Sequence, residues 1–349
     1  MIVKSSPLTR RGFGRICAGG LLIGRCLLRA MEAAPLTWAV LPDSRAGSER
    51  RYRADAPSDM EAAPLTWAVL PDSRAGSERR YRADAQIVLL SIPVFHRNGV
   101  GDGAAIWRES LAEDGAFVRL LEFTGRSAPE HAAGLNRFGF IQELSRSAGG
   151  ACAESIYFGL MTSSPEESAA EARKALHSNS KEISFSVIEA HIAGHSVETA
   201  AAHFLAPART SPADRGALID SARQALSVAS KKKDDLHSIG PMPRPFLHTL
   251  ADLLSRPDSS QAQYLYNGRL YYLKVERFAD PKAANVFREQ RLIAPNANVT
   301  RVAGSLWRQK GDKPIEFRLW IEEGAARPIP LRIEYQPKPY LRLTFEALA

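Results

Sequence analysis

Residues 315–346 alternate between apolar and charged side chains, and a period of two residues indicates β-strands. The apolar positions form three sets, namely Phe317, Leu319 and Ile321, then Leu331, Ile333 and Tyr335, then Leu341, Leu343 and Phe345. The charged positions between them are Arg318 and Glu322, Arg332 and Glu334, and Arg342 and Glu346. We predict an antiparallel meander with one apolar face, whose Arg and Glu side chains pair across strands for roughly 0.2–1 kcal/mol each.

The rest of the chain carries further strand signals and a few helix signals. Apolar runs separated by Gly, Pro and Ser predict about ten strands in all, with a tight hairpin at Asn267-Gly268. Capping and first-turn residues predict helices over 164–177 and 212–230, and apolar spacing predicts a short one over 246–254. Residues 96–103 are predicted to turn one strand into the next, and residues 231–235 to be a solvated helix end.

The excess of predicted strands over predicted helices indicates a mainly β (α+β) fold, an antiparallel curved sheet or half-open barrel with a few short helices packed on it. A single β-rich domain is expected over 60–349, with a helical insert at about 205–260. The Ala-rich helix 212–230 is a thin cover for so wide a sheet. The sheet therefore either closes on itself as a sandwich or barrel, or wraps the helices and leaves a spare apolar concavity. The second arrangement favours ligand binding.

Residues 1–30 hold most of the positive charge. The formal net charge is +8, but six basic residues and no acidic one lie in this segment, which leaves 40 basic against 38 acidic residues elsewhere. The segment resembles a twin-arginine export signal, with Arg10, Arg11 and Phe13 at the defining positions and a short apolar stretch after them. That stretch is too short to span a bilayer. The resemblance implies transfer by the twin-arginine export machinery to the periplasm or cell envelope, with no stable membrane span in the mature chain.

Residues 31–56 and 60–85 are identical at every position. Solenoid repeats diverge, and they need at least about three units to bury a core. We interpret the pair as a recent in-frame duplication, because only the second copy continues into an apolar strand. Residues 31–59 are therefore predicted to be redundant and disordered, and the folded domain to begin near Pro64.

Catalytic chemistry is sparse in this sequence. The nearly balanced charge outside residues 1–30 leaves no broad basic surface for nucleic acid. No motif of a known hydrolase, metalloprotease or phosphate-binding loop occurs. His191, His195 and His203 are weak metal candidates on a predicted hairpin that turns at Gly194, so we assign no metal, no cofactor and no catalytic residue.

The C-terminal strands also resemble a known group. Residues 317–320, 330–334 and 341–343 are similar to the closing strands of the domain of unknown function 3108 family of exported bacterial proteins. That family is related in shape to the periplasmic lipoprotein carriers of the LolA and LolB type. The resemblance implies a sheet curved around helices, and the family supplies no catalytic residues to carry over.

These features favour an exported, non-enzymatic protein that binds or carries an apolar or lipid-like ligand in the cell envelope. Two alternatives stay open. One is an exported, metal-assisted hydrolase that uses His191, His195 and a nearby carboxylate. The other is a structural or protein-interaction module of the envelope. Whether the chain is an enzyme is not decided by its sequence.

Overall fold

The computed structural model describes residues 65–67, 76–89, 92–112, 114–128, 130–132, 137–148, 151–162, 182–207, 215–235, 243–266, 269–308, 312, 314–338 and 341–349. The signal residues Arg10, Arg11 and Phe13, the first repeat copy and the helix predicted over 164–177 lie outside these ranges. Within them, no helix combines the length and the apolar character that crossing a membrane requires.

The described residues form fifteen β-strands in one sheet, so the mainly β fold class is confirmed. In chain order the strands are β1 (Gly76–Leu89), β2 (Ile92–Leu111), β3 (Phe117–Ser127), β4 (Phe138–Ala148), β5 (Ala151–Thr162), β6 (Glu182–Ala193), β7 (Ser196–Pro207), β8 (Lys231–Asp235), β9 (Arg244–Pro245), β10 (Gln261–Tyr266), β11 (Arg269–Ala279), β12 (Val299–Trp307), β13 (Ile315–Glu322), β14 (Arg332–Lys338) and β15 (Leu341–Ala347). The sheet order runs from β8 back to β1 and then from β15 back to β9. Because β1 pairs with β15, the first and last described strands lie in the middle of the sheet.

The sheet curls until its two arms overlap. Leu265 of β10 packs against Tyr157, Ile192 and Val197, which belong to β5, β6 and β7. No ladder joins the end strands β8 and β9 among the described residues. Of the two arrangements that the sequence left open, the structure therefore has the open, curved one.

Three helices of the described ranges pack on this sheet, namely α1 (Arg215–Ser227), α2 (Phe246–Ser255) and α3 (Pro281–Glu289). Helix α2 packs against β10 to β13 on one side of the sheet, called the inner face below. Helix α1 packs on the outer face of β4 to β7, and α3 on the outer face of β12 and β13. The helices predicted over 212–230 and 246–254 are confirmed, whereas α3 was not predicted.

Two segments differ from the sequence predictions. Residues 96–103 continue β2 instead of turning the chain, and the register against β1 shifts beside Gly99, whose φ is 62°. The carboxylate of Asp84 accepts the N–H of Gly99 at 2.7 Å and ties this bulge to β1. The run Lys231–Asp235 forms the edge strand β8 instead of a helix end. Charged side chains on an edge strand discourage pairing with other chains.

The predicted C-terminal meander is confirmed, including two of its charge pairs, whereas Arg342 stands opposite Gln86. Arg318 stands opposite Glu334 at 3.5 Å, and Arg332 stands opposite Glu346 at 2.6 Å. The Arg332 guanidinium also lies 5.3 Å from the Trp320 ring centre, near α3. This part of the charged face is therefore covered by protein.

Asp280 begins α3 and explains why the helix forms. Its carboxylate accepts the N–H of Ala283 at 3.0 Å and the indole N–H of Trp320 at 2.9 Å, and Pro281 occupies the first turn. Burial raises the pKa of Asp280, but these hydrogen bonds and two nearby arginines outweigh burial and hold the pKa below its usual range.

Asp280→Ala is expected to lower the free energy of unfolding by about 1–2 kcal/mol at pH 7, and Asp280→Ser, which keeps a capping oxygen, by less. Because the folded pKa is the lower one, the charge-dependent stabilisation is present above the unfolded value of about 3.9 and is lost as pH falls through the folded value. Urea unfolding of the three proteins at pH 7 and pH 3 measures this. An equal cost of Asp280→Ala at both pH values would contradict the ionic part of the cap.

Candidate ligand-binding cavity

The inner face of the sheet borders two adjoining chambers, both partly open to solvent. The first, called the mouth chamber, has a volume of about 170 Å³, and the second, called the helix chamber, has a volume of about 150 Å³ and lies beside α2. Both are lined by Phe123, Ile141, Ile333 and Tyr335. An engineered cavity of about 150 Å³ with aliphatic and aromatic walls stays dry and binds benzene. Each chamber can therefore hold an apolar group of about that size.

Glycines form part of the wall of the mouth chamber. Gly125, Gly139 and Gly159 line it on three successive strands, and Gly103 stands opposite Gly125 in the ladder. A Cβ atom on Gly103 would lie 3.2 Å from the Phe345 ring, and one on Gly125 would lie 3.7 Å from it. Glycine inside a strand marks a sharp bend or a close approach to the backbone. Here the absence of side chains on Gly103 and Gly125 lets the Phe345 ring lie directly on the sheet.

Helix α2 is held beside its chamber by buried hydrogen bonds to a carboxylate of the sheet. The Glu143 carboxylate on β4 accepts the backbone N–H groups of Leu247 and His248 at 2.8 and 2.9 Å, and lies 3.0 Å from His248 Nδ1. His248 Nε2 lies 3.2 Å from the carbonyl oxygen of Arg119. The N-cap residue Pro245 supplies no side-chain cap, so a carboxylate from the sheet satisfies the helix N-terminus.

Paired charges lie beside α2. Arg119 donates to Glu109 at 2.9 Å and to Asp252 at 3.0 Å, and Arg244 also contacts Asp252. The Arg119 guanidinium lies 5.0 Å from the Trp107 ring centre, which lines the helix chamber. These charges are therefore neutralised within the protein.

The lining of the mouth chamber includes three basic residues. They are Arg126, Arg137 and His203, and no Asp or Glu of the described residues lines this chamber. Arg126 donates to Asp102 at 2.8 Å, and this hydrogen bond raises the pKa of Arg126. His203 Nδ1 lies 3.0 Å from Ser186 Oγ. Arg126 is thus neutralised by Asp102, and the rest of the chamber wall is mostly apolar.

Tyrosine hydroxyls add polarity without charge. Burial raises the pKa of Tyr157 and of Tyr264 well above the usual range, so both phenols stay protonated at neutral pH. The Tyr157 ring packs edge-on against Tyr266, with 5.5 Å between ring centres, where the two arms of the sheet overlap. Both rings of this contact line the mouth chamber.

The three candidate histidines are not brought together as a metal site. His191 contacts Glu154, His195 is exposed in the hairpin turn, and His203 lines the mouth chamber. Glu198, opposite His191, pairs with a lysine on β8 at 2.7 Å. Among the described residues, no three or more His, Cys, Asp or Glu side chains are grouped so that they could hold a metal ion. The predicted hairpin itself is confirmed.

Sequence reasoning missed the Glu143 and His248 pair. The sequence does hint at this pair, because Glu143 lies two residues after Ile141 and therefore on the same face of an apolar strand. The neighbouring positions Phe140 and Leu144 are also buried, however, so both faces of β4 look apolar. No sequence pattern tells which face would receive α2.

Comparison with known proteins adds one distant similarity. No family profile and no curated protein matches the sequence. The chain is similar to the crystal structure of a beta-barrel-like protein of domain of unknown function DUF1849 from Brucella abortus. The TM-score is 0.44 and the identity 9%, over 78% of this chain and 95% of that chain. A score this low supports no conclusion about ligand or activity.

Proposed function

We propose that this protein is exported to the cell envelope and there binds or carries an apolar or lipid-like ligand without catalysing a reaction. The observation that supports the proposal is the pair of adjoining apolar chambers on the inner face of the curled sheet, one of them beside α2. Concave, mostly apolar sites with a few polar groups are the usual form of small-molecule sites. The twin-arginine-like residues Arg10, Arg11 and Phe13 support the export part.

Native mass spectrometry of the full chain, produced with its own leader, tests the proposal. We expect extra mass that denaturation releases as a lipid or another apolar small molecule. Extra mass that matches a metal ion would instead support a hydrolase. Protein that stays without ligand after incubation with membrane lipid extract would contradict ligand binding and favour an interaction module.

Ile333→Trp is expected to abolish ligand binding, because Ile333 lines both chambers and a larger ring there fills their junction. Overpacking should cost about 1–3 kcal/mol of unfolding free energy, which a thermal scan measures separately. Glu334→Trp is the matched control, because it places the same ring one residue along, on the outer face. Equal ligand loss in both variants would contradict binding in these chambers.

A further inference from the structure

The charged residues that line the two chambers already have partners within the protein. Arg126 donates to Asp102 at 2.7 Å, and Arg137 also has an interaction partner. Glu122, which borders the helix chamber, accepts a hydrogen bond from Arg215 of α1 at 2.9 Å. In the described part of the chain, each Arg and Glu of the lining is therefore already partnered.

A charged group of a ligand would lose hydration in the chambers without gaining a counter-charge that is waiting for it. Such a transfer is costly, and the openings to solvent lower this cost without removing it. An uncharged chain carries no such cost. Each CH₂ group that it buries instead raises the affinity about fourfold.

The other polar groups on the chamber walls are mainly hydroxyls. Tyr157, Tyr266 and Tyr335 line the mouth chamber, and Ser186 Oγ lies 3.0 Å from His203 Nδ1. A hydroxyl group both donates and accepts hydrogen bonds. The walls therefore tolerate a neutral oxygen atom on a ligand, such as that of an alcohol.

The size and the connection of the chambers limit the length of the ligand. Each chamber is about as large as a cavity that holds benzene, so the two together hold a chain of roughly a dozen carbon atoms. Phe123, Ile141, Ile333 and Tyr335 line both chambers, so the chambers meet at these side chains. One chain can therefore pass from the mouth chamber into the helix chamber, whereas a two-chain phospholipid needs far more room.

We propose that the ligand is a single uncharged chain of roughly a dozen carbon atoms, which occupies both chambers at once. This inference rests on the proposed function and makes it specific. It names the charge of the ligand, its length and the two places that it fills.

Isothermal titration of the full chain with 1-hexanol, 1-octanol, 1-decanol and 1-dodecanol tests the length. We expect the affinity to rise about fourfold for each added CH₂ group through to 1-dodecanol, because the chain then fills one chamber and continues into the other. A ligand confined to one chamber would stop gaining affinity at about 1-octanol.

Ala105→Leu tests the place of the chain. Ala105 lines the helix chamber and stands opposite Phe123, so a leucine there fills part of the space and should end the rise about two to three carbon atoms earlier. Ala104→Leu is the matched control, because it places the same side chain one residue along, on the outer face, and the rise should still reach 1-dodecanol. A thermal scan of both variants measures any loss of stability separately.

Leu250→Trp provides a second variant in case Ala105→Leu folds poorly. Leu250 lies on α2 and lines the same chamber from the other side. The larger ring should also end the rise at a shorter alcohol.

Dodecanoate and dodecyltrimethylammonium, both below micelle formation, test the charge. They carry a chain of the same length as 1-dodecanol, and each should bind at least about tenfold more weakly, because neither ion finds an unused counter-charge. The anion and the cation together separate an effect of charge in general from an effect of its sign.

Each outcome supports or contradicts one part of the inference. Affinity for either ion equal to that for 1-dodecanol overturns the uncharged ligand. A rise that ends at 1-octanol in the native protein overturns a chain in both chambers, and equal results for Ala105→Leu and Ala104→Leu overturn its place beside α2. All three results leave apolar binding standing, whereas absence of binding by every probe contradicts the proposed function itself.

Discussion

Glu143→Gln is expected to lower the free energy of unfolding by about 3–5 kcal/mol, the largest effect of a single polar substitution in this fold. The Glu143 carboxylate faces three hydrogen-bonding groups, the N–H groups of Leu247 and His248 and the His248 ring. A glutamine amide offers one oxygen and turns a donor toward the remaining groups. The N-terminus of α2 and the buried imidazole would then lack an acceptor.

Urea unfolding at pH 7 measures this cost, with Glu334→Gln as the control. Glu334 pairs with Arg318, whose side chain is 48% exposed, so that substitution should cost no more than about 1 kcal/mol. The double variant Glu143→Leu with His248→Leu should recover part of the loss, because removing both partners leaves no unpaired buried charge. Equal costs for Glu143→Gln and Glu334→Gln would contradict a buried pair that holds α2.

Leu65→Ala is expected to lower the free energy of unfolding by about 2–5 kcal/mol. Leu65 is 3% exposed and packs with Leu120, Leu144 and Ile156 on the outer face. Its N–H donates to the Glu154 carboxylate at 2.8 Å. This leucine therefore contributes to a buried cluster on β3, β4 and β5.

The duplication supplies the control, because Leu36 has the same flanking sequence as Leu65. If residues 31–59 are redundant, Leu36→Ala should change the free energy of unfolding by no more than about 0.5 kcal/mol. Thermal and urea unfolding of both variants decide the matter. Equal losses would show that the first copy contributes to the fold. A full loss only in the double variant would show that either copy can occupy the same site.

Strand periodicity was the dependable signal in this sequence. The alternation over 315–346 predicted the meander and the cross-strand pairing of Arg318 with Glu334. The Asn267-Gly268 signal predicted a hairpin, and Tyr266 does pair with Arg269. Such patterns are local, because successive side chains of a strand alternate between its two faces.

The misread segments share a physical cause, since their conformation depends on contacts from elsewhere. Glycines at 98–103 indicate a turn by themselves, but pairing with β1 and β3 keeps them extended, with a bulge that Asp84 holds. The run Lys231–Asp235 has no strand propensity of note, yet β7 offers it a free edge.

The sequence by itself determined the mainly β class, the one-sided meander and two of the three described helices. Only the tertiary structure decided which way the sheet curls, that α2 lies on its inner face, and that two apolar chambers remain on that face. The alternation of apolar and polar residues shows that a strand has two different faces, but it does not show which face will line the interior of the curled sheet. That choice depends on side chains far apart in the chain, such as Glu143 and His248, meeting in three dimensions.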